Sequence, residues 1–108
     1  MSGRDWANAA YQVLRRGETV KVRPHGHSMS GRISNGDLAT LQPCRAEDVS
    51  AGHMVLVRIQ GRRCTHLVLH QVLEREPGQL LIGNNLGGVD GWVTESDVCG
   101  FGVAVEPG

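Results

Sequence analysis

The chain has 108 residues, with eleven basic and eleven acidic side chains that cancel. That length suits one domain with one core. The balance removes any basic excess that would point to nucleic acid, and no apolar run approaches the roughly 20 residues of a membrane-spanning helix.

Taken in chain order, the first element is the only helix pattern. In "DWANAAYQVLRRGE", Asp5 can cap the start and Gly17 can end it. Trp6, Ala9, Ala10, Val13 and Leu14 fall on one face at helical spacing. Arg15 and Arg16 sit in the last turn, where positive charge is favoured. The helix is expected over about residues 5–16.

Beyond Gly17 the pattern becomes short strands divided by Gly, Pro and Asn. "TVKVR" alternates, and "DLATL" follows the turn signal "SNG". "MVLVRI" and "THLVLHQVLE" flank "QGRR", which reads as a hairpin connection. "QLLIG" follows "EPG", and "GWV" and "VCGFGVAVE" complete the series. Seven strand signals and one helix predict an all-β, β-rich domain over about residues 19–106, built as a partly open barrel of short strands. One helix cannot form a helix-turn-helix, so no DNA-reading module is expected.

Cys44, Cys64 and Cys99 are odd in number and lack CxxC spacing. That pattern suits reduced thiols, and a cytoplasmic location is expected. His25 and His27 could supply two metal ligands, but no companion pair stands at ligand spacing, so no metal is expected.

The chemistry-bearing stretch is "PHGHSMSGRISNGDLATLQP", where Ser28 lies in a Gly-flanked turn before a strand. A hydroxyl is a poor nucleophile until a base removes its proton. The candidate bases are histidines. In "CTHLVLHQV", His66, Val68, His70 and Val72 share one strand face, where partial desolvation favours the neutral imidazole that a general base needs. The only lysine, Lys21, lies upstream of Ser28. A mechanism requiring a lysine downstream of the serine is therefore excluded. The same residues also read plainly as a turn and a core histidine.

"GHSM", then "SNGDLATL", then "SAGHMVLVRIQGRRCTHL" together resemble the serine peptidase domain shared by LexA-type repressors and signal peptidases. The resemblance runs from about Val20 to Val105. It implies a serine endopeptidase acting on an extended peptide or protein, without a cofactor. It matches Ser28 to the nucleophile, Gly26 and Met29 to oxyanion and substrate contacts, and, by hairpin spacing, His66 to the base, with His70 as the alternative. Most bacterial members carry lysine at that position; the archaeal and endoplasmic-reticulum branch carries histidine. "LIGNNLGGVDGWV" resembles that branch's Gly-Asp-Asn-rich segment and matches Asp90 to the acid supporting the base. Asp37 is expected to be structural, bonding loop amides. The pattern suggests a bare catalytic module without membrane or DNA attachments. The competing expectation is an inactive module of the same fold, whose open edge pairs with a peptide or with a second copy as a homodimer.

Overall fold

The computed structural model describes residues 5–24, 29–34 and 36–108. Helix α1 (Asp5–Arg15) is followed by seven strands: β1 (Val20–Val22), β2 (Leu38–Gln42), β3 (Met54–Gln60), β4 (Thr65–Glu76), β5 (Gln79–Gly83), β6 (Val89–Thr94) and β7 (Val98–Glu106). They form one sheet in the order β1-β2-β7-β3-β4-β5-β6, with every neighbouring pair antiparallel. Each strand falls on one of the expected segments, and the β-rich architecture with one helix is as the composition of turns and strands predicts.

Strand β3 explains the layout. It lies between β7 and β4, and both of its faces are buried. Met54 and Leu56 point to one side, Val55 and Val57 to the other. That is why "MVLVRI" is a continuous apolar run rather than an alternating one. On the first side, α1 closes the core with Ala7, Ala10 and Leu14, beside Leu69 of β4 and Ala39 and Leu41 of β2. The second side is covered by the sheet itself. Val72 of β4 and Leu80 and Ile82 of β5 meet Val55 and Val57, with Val93 of β6 and Phe101 of β7 packed against them. The molecule measures 35 × 31 × 29 Å, and the sheet coils so that its own strands close over the second face of β3. It remains open, since no pairing joins the edge strands β1 and β6 among the described residues.

The helix face differs from expectation by one position. Ala9 is exposed and Ala7 is buried. The buried set 7, 10 and 14, flanked by Trp6 and Tyr11, follows the i, i+3, i+4, i+7 stripe, with both aromatic rings on the sheet side. The side chain of Asp5, expected as a cap, lies outside the described residues.

Apolar burial holds this fold. A fully buried Leu, Ile or Val contributes about 1.5–3 kcal/mol. Exposed ion pairs such as Arg16–Glu18, Lys21–Glu106 and Arg45–Glu47 contribute about 0–1 kcal/mol each.

Candidate active site

His70 stands in the middle of β4, opposite Val55 of β3. Its backbone parity puts the ring on the same face as Val68 and Val72. Only 9% of the residue is accessible. A polar ring at that depth needs a partner. The partner is Asp90, whose Oδ2 lies 2.6 Å from His70 Nδ1. An ionised carboxylate only accepts, so Nδ1–H is the donor. The proton on Nδ1 leaves Nε2 of the neutral ring with its lone pair, which is the arrangement a general base requires.

Asp90 reaches His70 because the β5–β6 ladder is irregular at that point. Ile82 pairs with Gly91 and Gly83 pairs with Val89, which leaves Asp90 as the extra residue of a β-bulge. Bulges re-aim side chains that regular pleating would fix on one face. Gly91 has φ +119, a backbone conformation that side chains rarely adopt. The preceding connection is closed by Asn84, whose Oδ1 accepts from the amides of Leu86 and Gly88. Asp90 also borders a crevice of about 160 Å³, shared with Gln60 and Thr65 of the β3–β4 hairpin and Trp92 of β6. One side of the carboxylate therefore meets solvent and the other meets the imidazole.

Ser28 and Gly26, together with His25 and His27, lie outside the described residues. The description resumes at Met29. Met29 and Ile33 are both buried in the helix-side core, and the Ile33 and Arg32 amides donate to the Met29 carbonyl to form a compact turn. Three side chains tie this turn to the sheet. Asn85 Nδ2 donates to the Ser30 carbonyl at 2.7 Å. Gln71 Nε2 donates to Asn85 Oδ1 at 3.2 Å and to the Asn84 carbonyl at 3.0 Å. Arg32 Nη1 donates to Gln71 Oε1 and to the Gly52 carbonyl, both at 2.8 Å. Gln71 is the next residue after His70. The turn that follows Ser28 is thus fastened to the helix-side face of β4, whereas the His70 ring lies on the opposite face with Val68 and Val72. None of Arg32, Gln71 and Asn85 is apparent from residue type alone. Only the Asn-Asn-x-Gly-Gly turn hinted that the β5–β6 connection carries side-chain bonds.

His66 occupies a different setting. It pairs with Ile59 near the hairpin tip, four strand positions or about 13 Å from His70. Its ring lies against Cys64, with Nε2 at 3.5 Å and Nδ1 at 3.7 Å from Sγ, and it packs over Gly61. The Asp90 carboxylate goes to His70, so the base that hairpin spacing favours and the residue that Asp90 supports are different histidines.

The remaining candidates have structural roles. Asp37 accepts from the Ser34 and Gly108 amides, in keeping with a loop-bonding role. His53 Nδ1 accepts from the Ser50 amide, and its ring packs against Phe101 with centroids 5.8 Å apart. Cys44, Cys64 and Cys99 form no disulfide. Burial, then Asp48, then Cys99 push the Cys44 thiol up to about 11. Burial likewise raises Cys99, partly offset by its hydrogen bond with Arg58. Among the described residues, no three His, Cys, Asp or Glu side chains converge as a metal site would need. No helix among them is long and apolar enough to cross a membrane. No protein-family model matches the chain, and no curated protein or solved structure matches it.

Proposed function

We propose that the protein is a serine endopeptidase in which Ser28, His70 and Asp90 act together on an extended peptide. The observation that carries this reading is the His70–Asp90 pair at 2.6 Å, with the imidazole buried and the carboxylate partly open to solvent. Any hydrogen-bond partner would satisfy a core histidine kept only for packing. This one is held by a carboxylate that a bulge had to redirect. The resemblance of the Gly26–Met29 segment to the LexA and signal peptidase nucleophile motif supports Ser28 as its partner.

In this mechanism His70 Nε2 takes the Ser28 Oγ proton as Oγ attacks the scissile carbonyl carbon. The backbone N–H of Ser28, with that of Gly26, stabilises the resulting oxyanion. Asp90 keeps Nδ1–H oriented and faces the imidazolium that forms. Nε2–H then protonates the departing amine, and the carbon–nitrogen bond breaks to leave an acyl ester on Ser28. Water attacks that ester, His70 takes its proton, and Oγ recovers it as the acid product leaves. No cofactor takes part. Met29 is buried in the helix-side core. The three unlinked cysteines support a reducing, cytoplasmic setting.

The second reading is a non-catalytic peptide-binding module, favoured by the edge of β6, which is unpaired among the described residues and where Val89 and Trp92 are exposed. A serine-directed fluorophosphonate separates the two. The peptidase reading expects stoichiometric labelling of Ser28 that is lost in Ser28→Ala with the fold intact. A native protein that takes up no probe supports the binding module instead.

A further inference from the structure

We propose that the edge of β6 docks an extended peptide whose side chains alternate between apolar and basic. The inference rests on the second reading above, of a peptide-binding module, and names the chemistry of its partner.

The backbone supplies the first complementarity. Among the described residues β6 pairs only with β5, which leaves its other edge open. The Asn84 amide donates to the Gly88 carbonyl at one end of this hairpin, and the Glu95 amide to the Gly78 carbonyl at the other. Bonded and non-bonded pairs alternate along an antiparallel ladder. Counting inward from those two bonds, Val89 opposite Gly83 and Trp92 opposite Leu81 fall at non-bonded positions. Their N–H and C=O groups therefore point away from β5, towards the open edge. An added strand satisfies such groups.

The side chains divide by face. Gly83 and Leu81 have the same parity on β5, so Val89 and Trp92 share the outer face of the sheet. They are 63% and 43% accessible, and Leu86, just before β6, is 62% accessible. Three of the four exposed large apolar side chains thus gather at this one edge, as a contact surface requires. A strand paired there sets every second side chain beside Val89 and Trp92, where an apolar residue fits.

The intervening side chains fall on the inner face. On that side lies the crevice of about 160 Å³ bordered by Asp90 and Asp97. Both carboxylates are held by uncharged donors: Asp90 by the neutral His70 ring, Asp97 by the Thr94 amide and hydroxyl. The one cation among the described residues bordering the crevice, Arg58, lies over the Tyr11 ring at 5.6 Å and bonds Cys99. The segment "VDGWVTESD" holds three acids and no base, and its Glu95 is already paired with Arg75 at 3.3 Å. The inner positions of the bound strand therefore favour Lys or Arg.

The test uses the native protein and capped, fluorescein-labelled peptides of about eight residues, read by fluorescence polarisation. An alternating Lys–Val peptide is compared with an alternating Glu–Val peptide and with a block peptide of the same Lys and Val content. The alternating basic peptide is expected to bind about tenfold or more tightly than either. Trp92→Lys, at an exposed position, should weaken it about tenfold. Asp97→Asn, which keeps an acceptor for Thr94, should weaken it about two- to fivefold at low salt only. Equal binding of the Lys–Val and Glu–Val peptides, or of the alternating and block peptides, overturns the proposal while leaving a peptide-binding module in place. Those comparisons need only the native protein and decide the matter if a variant fails to fold. No binding of any peptide at millimolar concentration overturns the module, and the proposal with it. A native protein that sediments as a dimer, and as a monomer in Trp92→Lys, seats a second copy on β6 and also overturns it.

Discussion

Asp90 meets His70 from the one residue of β6 that the ladder to β5 skips, and the two side chains close to 2.6 Å across 20 residues of sequence. A regular strand would align the Asp90 side chain with its neighbours' pleat; the bulge frees it to turn towards β4. The pair fixes which ring nitrogen carries the proton. Asp90→Asn keeps the shape but can offer its own N–H to Nδ1, stabilising the wrong tautomer. Serine labelling and peptide hydrolysis are expected to drop by about a hundredfold or more, with little change in the unfolding temperature. Rates within threefold of native would remove Asp90 from the mechanism.

The histidines can be ranked by substitution. General-base catalysis contributes about 10²–10⁴-fold, so His70→Ala should lose that much, whereas His66→Ala should stay within about threefold. His66 lies at the hairpin tip against Cys64, away from the Asp90 carboxylate. The reverse order of effects would return the base to His66.

Gly91→Ala probes the bulge itself. A side chain at φ +119 is strained, at a cost of about 1–3 kcal/mol. The expected result is a lower unfolding temperature together with reduced labelling of Ser28, since relief of the strain moves Asp90. Lower stability with full labelling would show that the bulge does not aim the carboxylate.

The thiols should behave unequally. Cys64 is exposed, while Cys44 is partly buried with its thiol pushed up to about 11. Iodoacetamide near pH 8 should therefore modify Cys64 first, read by peptide mass mapping. The folded state holds the Cys44 proton more tightly than the unfolded chain does. Its contribution to stability is full below the ordinary value of 9.0 and is lost as pH rises towards about 11. Native protein should lose more stability than Cys44→Ala over that window, measured by urea midpoints. Equal losses would contradict the raised value.

The element pattern was legible because each strand carries its own signal. Continuous apolar residues mark β3, alternation marks β1, and Gly, Pro or Asn separates most of the others. The site was legible only in part. Ser28 and Asp90 emerged from motif resemblance, and the shared face of His66 and His70 from parity. Parity could not say which of the two a distant carboxylate would reach, because that depends on a bulge at Asp90 in another strand. The bonds from Asn85 to Ser30 and Gln71 span 55 and 14 residues, and nothing local encodes them. The helix face differed by one position because Ala carries too little apolar signal to choose between Ala7 and Ala9.

The most direct measurement is a crystal structure of the protein with a phosphonate bonded to Ser28 Oγ. The account predicts His70 Nε2 within about 2.6–3.2 Å of that oxygen, with Nδ1 still on Asp90. A phosphonylated Ser28 whose Oγ lies out of reach of His70, or a serine that accepts no phosphonate at all, would contradict it.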